Sequence, residues 1–223
     1  MPVELSRLLW LLMLSVVLFV PVDSFAATNV DDVVTRIKKQ APALKPTILR
    51  KAVIAYQHAK KQGVMHKPIV TVIDYSMPSS KKRLWTIDLN RKRVLFHTYV
   101  AHGLRSGALY ATRFSNAVGS KASSLGVYVT ASTYIGNNGL SLRLRGLEKG
   151  INDKAMSRAV VMHGARYVSQ QFIRQVGRLG RSWGCPAVPK NMIIPMIRTL
   201  KNGSLLLAYY PQKYWLSHSK YVA

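Results

Sequence analysis

The spacing of apolar residues predicts two short helices within residues 31–63. Val33 and Ile37 fall on one face of the first, and the stretch 47–62 repeats apolar residues at helical intervals. The remaining positions are rich in Lys and Arg, so their outer faces are expected to meet solvent or an anionic surface. The pattern predicts a small helical segment ahead of the main domain.

From residue 69 the pattern changes to short β-branched and alternating runs, which are typical of strands. The runs 84–89 and 94–100 flank Asn90-Arg91 and are predicted to pair as a hairpin. Helices do not alternate with strands, so a parallel α/β fold is not expected. The sequence therefore predicts a mainly β domain with short helices. Further strand candidates are 69–75, 126–130 and 205–210.

The chain begins with a segment typical of a secretory signal peptide. Arg7 precedes an apolar run over 8–20, which Pro21 ends. This run is shorter than the roughly 20 residues that span a bilayer, and small residues near Ala26 are typical of a cleavage site. We predict cleavage after Ala26 or Ala27 and a protein body in the periplasm or at the cell surface. An uncleaved segment would instead serve as a membrane anchor.

The charge of the chain is strongly positive. It carries 33 Lys and Arg against 8 Asp and Glu, a formal net charge of +25, and without residues 1–26 the balance is 32 against 6, or +26. Outside the cytoplasm the available anions are peptidoglycan stem-peptide carboxylates, phosphate-rich envelope polymers and anionic lipid. Nucleic acid is not expected as a partner, because the chain is predicted to be exported and lacks a basic recognition helix or an aromatic platform.

The chain has one cysteine, Cys185, and therefore forms no internal disulfide. A single thiol in an oxidising compartment is either buried or used in chemistry, and composition alone does not choose between the two. The six histidines and this cysteine show no spacing typical of zinc sites, so neither a metal nor another cofactor is expected.

His163 and Cys185 form the predicted catalytic pair. A thiol attacks as the thiolate, and an imidazole can take its proton and return it to a leaving amine. His163 follows an apolar run and is predicted to end a strand. The N–H groups of Gly184 and Cys185 are expected to hold an oxyanion, and Ser182 to bind the turn or the thiol. From the residues alone, a buried structural Cys and a structural His remain the alternative.

The order of these residues resembles the catalytic domain of the L,D-transpeptidase (YkuD-type) family, in a divergent branch. His163-Gly164 precedes Ser182-Trp183-Gly184-Cys185, which is similar to the family's His-Gly and Ser-x-Gly-Cys motifs. The resemblance covers about residues 66–211. Further segments that carry it are Asp74-Tyr75-Ser76, His102-Gly103, Phe114-Ser115-Asn116, Ser123-Ser124-Leu125-Gly126, Tyr134, Ser141-Leu142-Arg143-Leu144 and Gly146-Leu147-Glu148.

The resemblance implies a mainly β fold, an L,D-transpeptidase-like β-sandwich with short helices that follows an N-terminal helical segment. It implies that the cysteine attacks a peptide bond in a peptidoglycan stem, usually after its third residue, a diamino acid, and that a terminal D-amino acid leaves. The thioester then passes to an amine of another stem, to a wall-tethered protein or to water. The expected organisation is a signal peptide over 1–26, a helical segment over 27–65, the catalytic domain over 66–215 and a tail over 216–223.

The resemblance also assigns roles to individual residues. Cys185 takes the role of nucleophile and His163 that of base. The family usually places an arginine two residues after the cysteine, where this chain has Ala187. Arg181, Arg178 and Arg143 are the candidates to replace it. The expected supporting residues are Gly184, Ser182, Trp183 and Gly164, and the expected substrate-binding residues are His102, Tyr134, Arg181 and Arg143.

Two other functions remain open from the sequence. A hydrolase or L,D-carboxypeptidase would use the same Cys-His site with water as the acceptor. A non-catalytic module that binds the cell wall through its charge would leave Cys185 inert. Peptidoglycan stem peptides and anionic envelope polymers are the expected partners in either case, with a wall-tethered protein as a further acceptor for a transferase.

Overall fold

The computed structural model describes residues 29–222, so the predicted signal peptide over 1–26 lies outside the described residues. Within the described part, β-strands dominate and the helices are short. The helices are α1 (Val30–Gln40), α2 (Pro46–Lys61), α3 (Gln170–Val176), α4 (Lys190–Leu200) and α5 (Lys213–His218). The strands are β1 (Ile69–Asp74), β2 (Leu84–Asp88), β3 (Arg93–Thr98), β4 (Gly126–Gly136), β5 (Gly139–Gly146), β6 (Val161–Ala165), β7 (Ala187–Pro189) and β8 (Leu205–Tyr209).

The strands form one sheet in the order β3-β2-β1-β8-β4-β5-β6-β7. The pairs β1–β8 and β6–β7 are parallel, and the other pairs are antiparallel. Beyond β3 the chain returns to the opposite edge, where Ala101 donates its N–H to the carbonyl of Ala187 at 2.8 Å. This bridge connects the two ends of the sheet, which is therefore barrel-like. The predicted mainly β fold and the hairpin of β2 and β3 are confirmed.

The predicted N-terminal helical segment is confirmed as α1 and α2. Asn29 caps α1, because its Oδ1 accepts the N–H groups of Asp31 at 3.0 Å and Asp32 at 3.3 Å. Pro46 starts α2, where its missing N–H has no cost. The apolar faces of both helices are buried in the same core as β1 and β8, so this segment is part of the domain that carries the sheet.

The chain after β8 also packs against the domain. The predicted boundary at residue 215 falls inside α5, and Trp215, Tyr221 and Val222 are buried. Within residues 29–222 no helix has the length and apolar character that crossing a bilayer requires.

Strands β5, β6 and β7 and helix α4 support the region of the predicted catalytic pair. Strand β6 pairs antiparallel with β5 and parallel with β7, and α4 begins directly after β7 and packs on β6. Gly164 on β6 permits this packing, since an added Cβ would lie 3.0 Å from Ile193 Cγ2 and 3.3 Å from Lys190 Cα. The close approach packs α4 against β6 next to His163, the middle residue of the strand.

Candidate active site

Cys185 and His163 line one cleft with a volume of about 640 Å³. Strand pairing brings them together, because His163 on β6 pairs with Ala187 on β7 and Cys185 lies two residues before Ala187. The sequence hypothesis of a Cys-His pair is therefore consistent with the geometry of the sheet. The cleft is lined by Tyr134, Gly136, Asn137, Asn138, Arg158, Ala159, Val161, His163, Tyr167, Arg181, Ser182, Trp183 and Cys185.

Two backbone groups hold the thiol of Cys185. Its Sγ lies 3.7 Å from the carbonyl oxygen of Ala159, to which the S–H donates, and the N–H of Val161 donates to the sulfur at 3.5 Å. Burial raises the pKa of Cys185, while the Val161 N–H and the charge of Arg158 oppose that rise. Because the net shift is upward, the thiol is protonated at neutral pH and needs a base before it can attack.

His163 is held in the tautomer that a base requires. Its Nδ1 lies 3.2 Å from the carbonyl oxygen of Gly164. Since a carbonyl only accepts hydrogen bonds, Nδ1 carries the proton and Nε2 keeps its lone pair. Burial lowers the pKa of His163, and the bond to Gly164 offsets part of this shift. The imidazole is therefore neutral at neutral pH and free to accept a proton at Nε2.

The turn before the nucleophile is braced by Ser182. Its Oγ accepts the N–H of Gly184 at 3.1 Å and donates to the carbonyl of Cys185 at 2.6 Å. The expectation that the Gly184 N–H holds an oxyanion is therefore corrected, because Ser182 already satisfies it. The N–H of Cys185 has no acceptor among residues 29–222 and is the group left to bind an oxyanion.

The backbone conformation at position 184 requires glycine. Its φ is +123°, and an added Cβ would lie 2.7 Å from the carbonyl oxygen of Ala122. The glycine therefore lets the turn approach the segment around Ala122 closely.

Arg158 is a residue of the cleft that the sequence reasoning missed. Its guanidinium ties the segment 115–124 to the region of the thiol, and its positive charge lowers the pKa of Cys185. These partners lie 34 to 43 residues away along the chain, so no spacing in the sequence points to them. The acceptors are the carbonyl oxygens of Ser115 at 2.7 Å and Ala122 at 2.6 Å, the Oγ of Ser120 at 3.1 Å and the Oγ of Ser124.

Three of the other expected residues line the cleft. Tyr134 lies on β4 and has the guanidinium of Arg143 stacked 4.3 Å from its ring centre. Arg181 donates to the carbonyls of Leu104 at 3.3 Å and Gly107 at 3.1 Å. These bonds hold its guanidinium against the loop 104–107. Trp183 is 73% exposed, with Lys121 Nζ 4.6 Å from its ring centre, so it forms an open rim.

His102 lies outside the cleft lining, which corrects the expectation that it binds substrate. It is buried, its Nδ1 accepts a hydrogen bond from Arg83 at 2.8 Å, and its Nε2–H donates to the carbonyl of Gly107 at 3.3 Å. Burial and the neighbouring Arg83 charge lower the pKa of His102 to about 4. Its neutral ring is a structural link between Arg83 and the loop that also holds Arg181.

Arg178 is likewise not among the residues that line the cleft. Its Nη1 donates to the carbonyl of Leu179 at 2.8 Å. Of the three arginines considered as replacements for the family's arginine, Arg181 lines the cleft and Arg143 lies beside it. Residues 29–222 contain no group of three His, Cys, Asp or Glu side chains arranged to hold a metal ion.

Two smaller recesses adjoin the cleft and share lining residues with it. The Arg143 recess, of about 190 Å³, is lined by Tyr134, Arg143, Met156, Ala159, Val160 and Val161. The Lys190 recess, of about 340 Å³, is lined by Asn137, Asn138, Gly139, Gly164, Ala165, Arg166, Tyr167 and Lys190. Tyr134, Arg143 and Gly164 were expected site residues, whereas Asn137 and Asn138 of the β4–β5 turn, Arg166 and Lys190 stand outside the motifs that the sequence singled out.

Comparison with known proteins identifies the family. Residues 40–209 match the family model of the L,D-transpeptidase catalytic domain. The chain belongs to this family. The match begins before α2 and ends with β8, so it includes the whole sheet, Cys185 and His163. The resemblance noted from the His-Gly and Ser-x-Gly-Cys motifs is thereby confirmed.

Several solved structures are also similar to the chain. An L,D-transpeptidase from Mycobacterium smegmatis shares 10% identity at a TM-score of 0.39, with 64% of this chain and 59% of that chain covered. An L,D-transpeptidase from Stackebrandtia nassauensis shares 11% identity at a TM-score of 0.37, with coverage of 82% and 92%. An L,D-transpeptidase in complex with imipenem shares 12% identity at 0.39, with coverage of 63% and 58%. The match thus spans about three fifths of the first of these proteins. No match was found among curated proteins.

Proposed function

We propose that this protein is a peptidoglycan L,D-transpeptidase that acts through a thioester on Cys185. Membership of the family supports the reaction class. The observation that carries the assignment of residues is the cleft shared by a protonated Cys185 thiol and a neutral His163 whose Nδ1 is fixed by Gly164. This arrangement supplies a nucleophile and an oriented base in one place.

Acylation begins when His163 Nε2 takes the proton of the Cys185 thiol. The sulfur attacks the carbonyl carbon of a stem-peptide bond, and the carbonyl oxygen becomes an oxyanion that the N–H of Cys185 stabilises. The tetrahedral intermediate collapses, the C–N bond breaks, and the leaving amine receives the proton from His163. The products are a thioester on Cys185 and a free D-amino acid.

Deacylation repeats these events in the opposite sense. An acceptor amine attacks the thioester carbonyl, a C–N bond forms and the C–S bond breaks. The proton lost by the amine passes to His163, and the thiolate recovers it. Water in place of the amine would give hydrolysis, so the acceptor alone decides between a transferase and a carboxypeptidase.

The proposed setting is the cell envelope. Cleavage of residues 1–26 would release the body of the protein into the periplasm or at the cell surface, where stem peptides lie. The large positive charge would hold the enzyme on anionic envelope polymers, and a wall-tethered protein is a further possible acceptor.

The test uses the chain from residue 27 with tetrapeptide muropeptides and follows products by mass spectrometry. The wild type is expected to release the terminal D-amino acid and to form cross-linked or amine-exchanged products. Cys185→Ala is expected to abolish both, and His163→Gln to slow them by about a thousandfold because the base is lost. Equal turnover by wild type and Cys185→Ala would contradict the proposal.

A second measurement separates an enzyme from a wall-binding module. A carbapenem is expected to acylate Cys185 of the wild type, visible as a mass increase, and to leave His163→Gln almost unlabelled. Binding to isolated cell-wall sacculi without any labelling of the wild type would favour the non-catalytic module instead.

A further inference from the structure

One of the two recesses beside the cleft lies next to the thiol of Cys185, and the other lies next to the imidazole of His163. The Arg143 recess adjoins the thiol side, since it is lined by Ala159 and Val161, the two residues whose backbone groups contact the sulfur. The Lys190 recess adjoins the base side, because it is lined by Gly164, the residue whose carbonyl holds the imidazole. A substrate that crosses the cleft therefore has one part near the sulfur and another near the base.

The chemistry of acyl transfer decides which part lies on each side. The same imidazole gives a proton to the leaving nitrogen and takes one from the attacking nitrogen. Both nitrogens must therefore approach His163, while the acyl group remains on the sulfur of Cys185. The Lys190 recess is accordingly the side of the leaving group and of the acceptor, provided that the proposed transferase function holds.

Two cations face this recess side by side. Ala165 on β6 pairs with Pro189 on β7 in parallel register, so the next residues, Arg166 and Lys190, leave adjacent strands at the same end. Both side chains are exposed. Like charges on neighbouring strands repel each other, so an arrangement of this kind favours a bound anion.

No carboxylate of the described chain neutralises this pair. Neither Arg166 nor Lys190 takes part in any of the ion pairs within residues 29–222. Neither Asp nor Glu lines the cleft or the two recesses. The amides of Asn137 and Asn138, which line both the cleft and the Lys190 recess, add neutral hydrogen-bond donors between the pair and the thiol.

We infer that the Lys190 recess binds the carboxylate next to the reacting nitrogen, through Arg166 and Lys190. During acylation this is the carboxylate of the leaving D-amino acid. During deacylation it is the carboxylate on the carbon that bears the acceptor amine. The amine attacks the thioester carbonyl, the C–S bond breaks, and the amine proton goes to His163 as before. The recess thereby selects amino-acid-like acceptors over simple amines and water.

The space beyond the pair is large enough for an acceptor of greater size. Arg166 and Lys190 also line a separate groove of about 690 Å³, together with Lys82 and His97. An acceptor carboxylate held by the pair would leave the rest of its chain in this groove. The geometry is therefore suited to an acceptor that belongs to a larger peptide.

The test measures acceptor selectivity with a tetrapeptide donor held constant. D-methionine is compared with D-methioninol, in which an alcohol replaces the carboxylate. The wild type is expected to have a KM for D-methionine about tenfold lower than for D-methioninol, the usual size of one charge-assisted contact. Arg166→Gln/Lys190→Gln is expected to remove this preference by raising the KM for D-methionine. Acylation by the tetrapeptide donor should slow as well, because its leaving D-amino acid uses the same pair, whereas a carbapenem releases no amino acid and should still label Cys185.

A matched control loses the same charge at the other end of α4. Arg198→Gln/Lys201→Gln is expected to keep the wild-type preference, which excludes an effect of net charge alone. Arg166→Lys/Lys190→Arg is expected to retain most of it. Equal KM values for the two acceptors with the wild type, or an unchanged preference in Arg166→Gln/Lys190→Gln, would overturn the inference while leaving the transferase intact. A wild type that consumes no donor would overturn the proposed function itself.

Discussion

Cys185 and His163 are both neutral at rest, and this follows from where their side chains lie. Burial raises the pKa of the thiol and lowers that of the imidazole. The pair therefore does not rest as a thiolate with an imidazolium, and the proton moves only as the substrate is attacked. Such a thiol resists untimely oxidation, because oxidants react with the thiolate.

Arg158 is expected to tune the reactivity of this thiol. Arg158→Gln removes a charge that lowers the pKa of Cys185. The pH at which iodoacetamide alkylation reaches half its maximal rate should therefore be higher in this variant than in the wild type. In the wild type this pH should already lie above that of a free thiol. At pH 8 alkylation should slow several-fold. Mass spectrometry of samples quenched at increasing times gives the alkylation rate at each pH.

Two further variants make this prediction specific. Arg158→Lys keeps the charge and should shift the midpoint less, although it loses the fork of hydrogen bonds to segment 115–124. Arg174→Gln removes a charge from the exposed face of α3 and should leave the profile unchanged. An alkylation midpoint in Arg158→Gln at or below that of the wild type would argue against an electrostatic role.

His102 is expected to make the fold sensitive to acid. Its pKa is about 4 in the native state, against an ordinary value of 6.5. Between these values the unfolded chain binds more protons, so the free energy of unfolding falls as the pH falls from about 6.5 toward 4. The loss from this residue between pH 7 and 4.5 is about 2 kcal/mol.

The variant His102→Gln isolates this contribution. A glutamine can accept from Arg83 and donate to Gly107 without titrating. Urea unfolding at pH 7 and 4.5 should show a smaller loss of stability in His102→Gln than in the wild type. The same loss in both proteins would mean that other groups cause the acid sensitivity.

At the scale of elements, the N-terminus of helix α4 carries an unfavourable positive charge. Lys190 is its first residue, at the positive end of the helix dipole, and no side chain caps that end. Lys190→Glu is therefore expected to raise the free energy of unfolding by about 0.5 kcal/mol. It is also expected to weaken the use of D-methionine, because the proposed anion site loses a cation and gains a repelling charge.

A substitution at the opposite end of α4 provides the comparison. Lys201→Glu places a negative charge at the negative end of the dipole and should lower stability by a similar amount. Thermal unfolding of both variants measures the two shifts. A destabilised Lys190→Glu would indicate that this lysine makes a stabilising contact that outweighs the dipole.

Elements with local signals were predictable from the sequence, and those that depend on distant partners were not. The hairpin of β2 and β3 was predicted because its alternation and its turn are adjacent in the chain. Strand β4 was predicted only as far as residue 130, and β5 not at all, because their outer halves are polar and exposed. Helix α4 carries Pro195 in its interior, a residue that normally argues against a helix.

The contrast between local signals and distant partners also explains which residues of the site could be predicted. Cys185 and His163 stand in short motifs and could be found, and β-pairing then brought them together. Arg158 acts through partners in segment 115–124, which only the fold places beside it. His102 stands in a His-Gly pair like that of His163, and nothing local in the sequence shows that Arg83 buries it.

At the scale of the whole molecule, the charge is positive because Lys and Arg far outnumber Asp and Glu. The six acids within residues 29–222 also all have partners. Asp31, Asp32 and Asp88 form ion pairs, and Asp153 binds Asn116. The last two, Asp74 and Glu148, are buried and accept hydrogen bonds from Ser76 and from Val127 and Trp215. The many Lys and Arg of the surface therefore act on the surroundings almost unopposed.

This charge is expected to hold the protein on cell-wall sacculi even when the Cys185 thiol is removed. Cys185→Ala should bind sacculi at low salt and dissociate as the salt rises from 0.1 to 1 M, because the Debye length shrinks from about 10 to about 3 Å. Co-sedimentation measures the bound fraction. Sacculi with amidated carboxylates should bind less, and binding that is insensitive to both salt and amidation would exclude an electrostatic origin.

The position of β8 has a consequence for when the sheet is completed during synthesis. In the described sheet, β8 lies between β1 and β4 and joins the two halves, which otherwise meet through the bridges Ala101–Ala187 and Gly103–Ser182. Strand β8 comes last in the chain, so the halves made earlier cannot be united until it arrives. A polypeptide that emerges N-terminus first would carry an unassembled site until that moment. The order of the strands thus delays completion of the sheet that carries His163 until synthesis has passed residue 209.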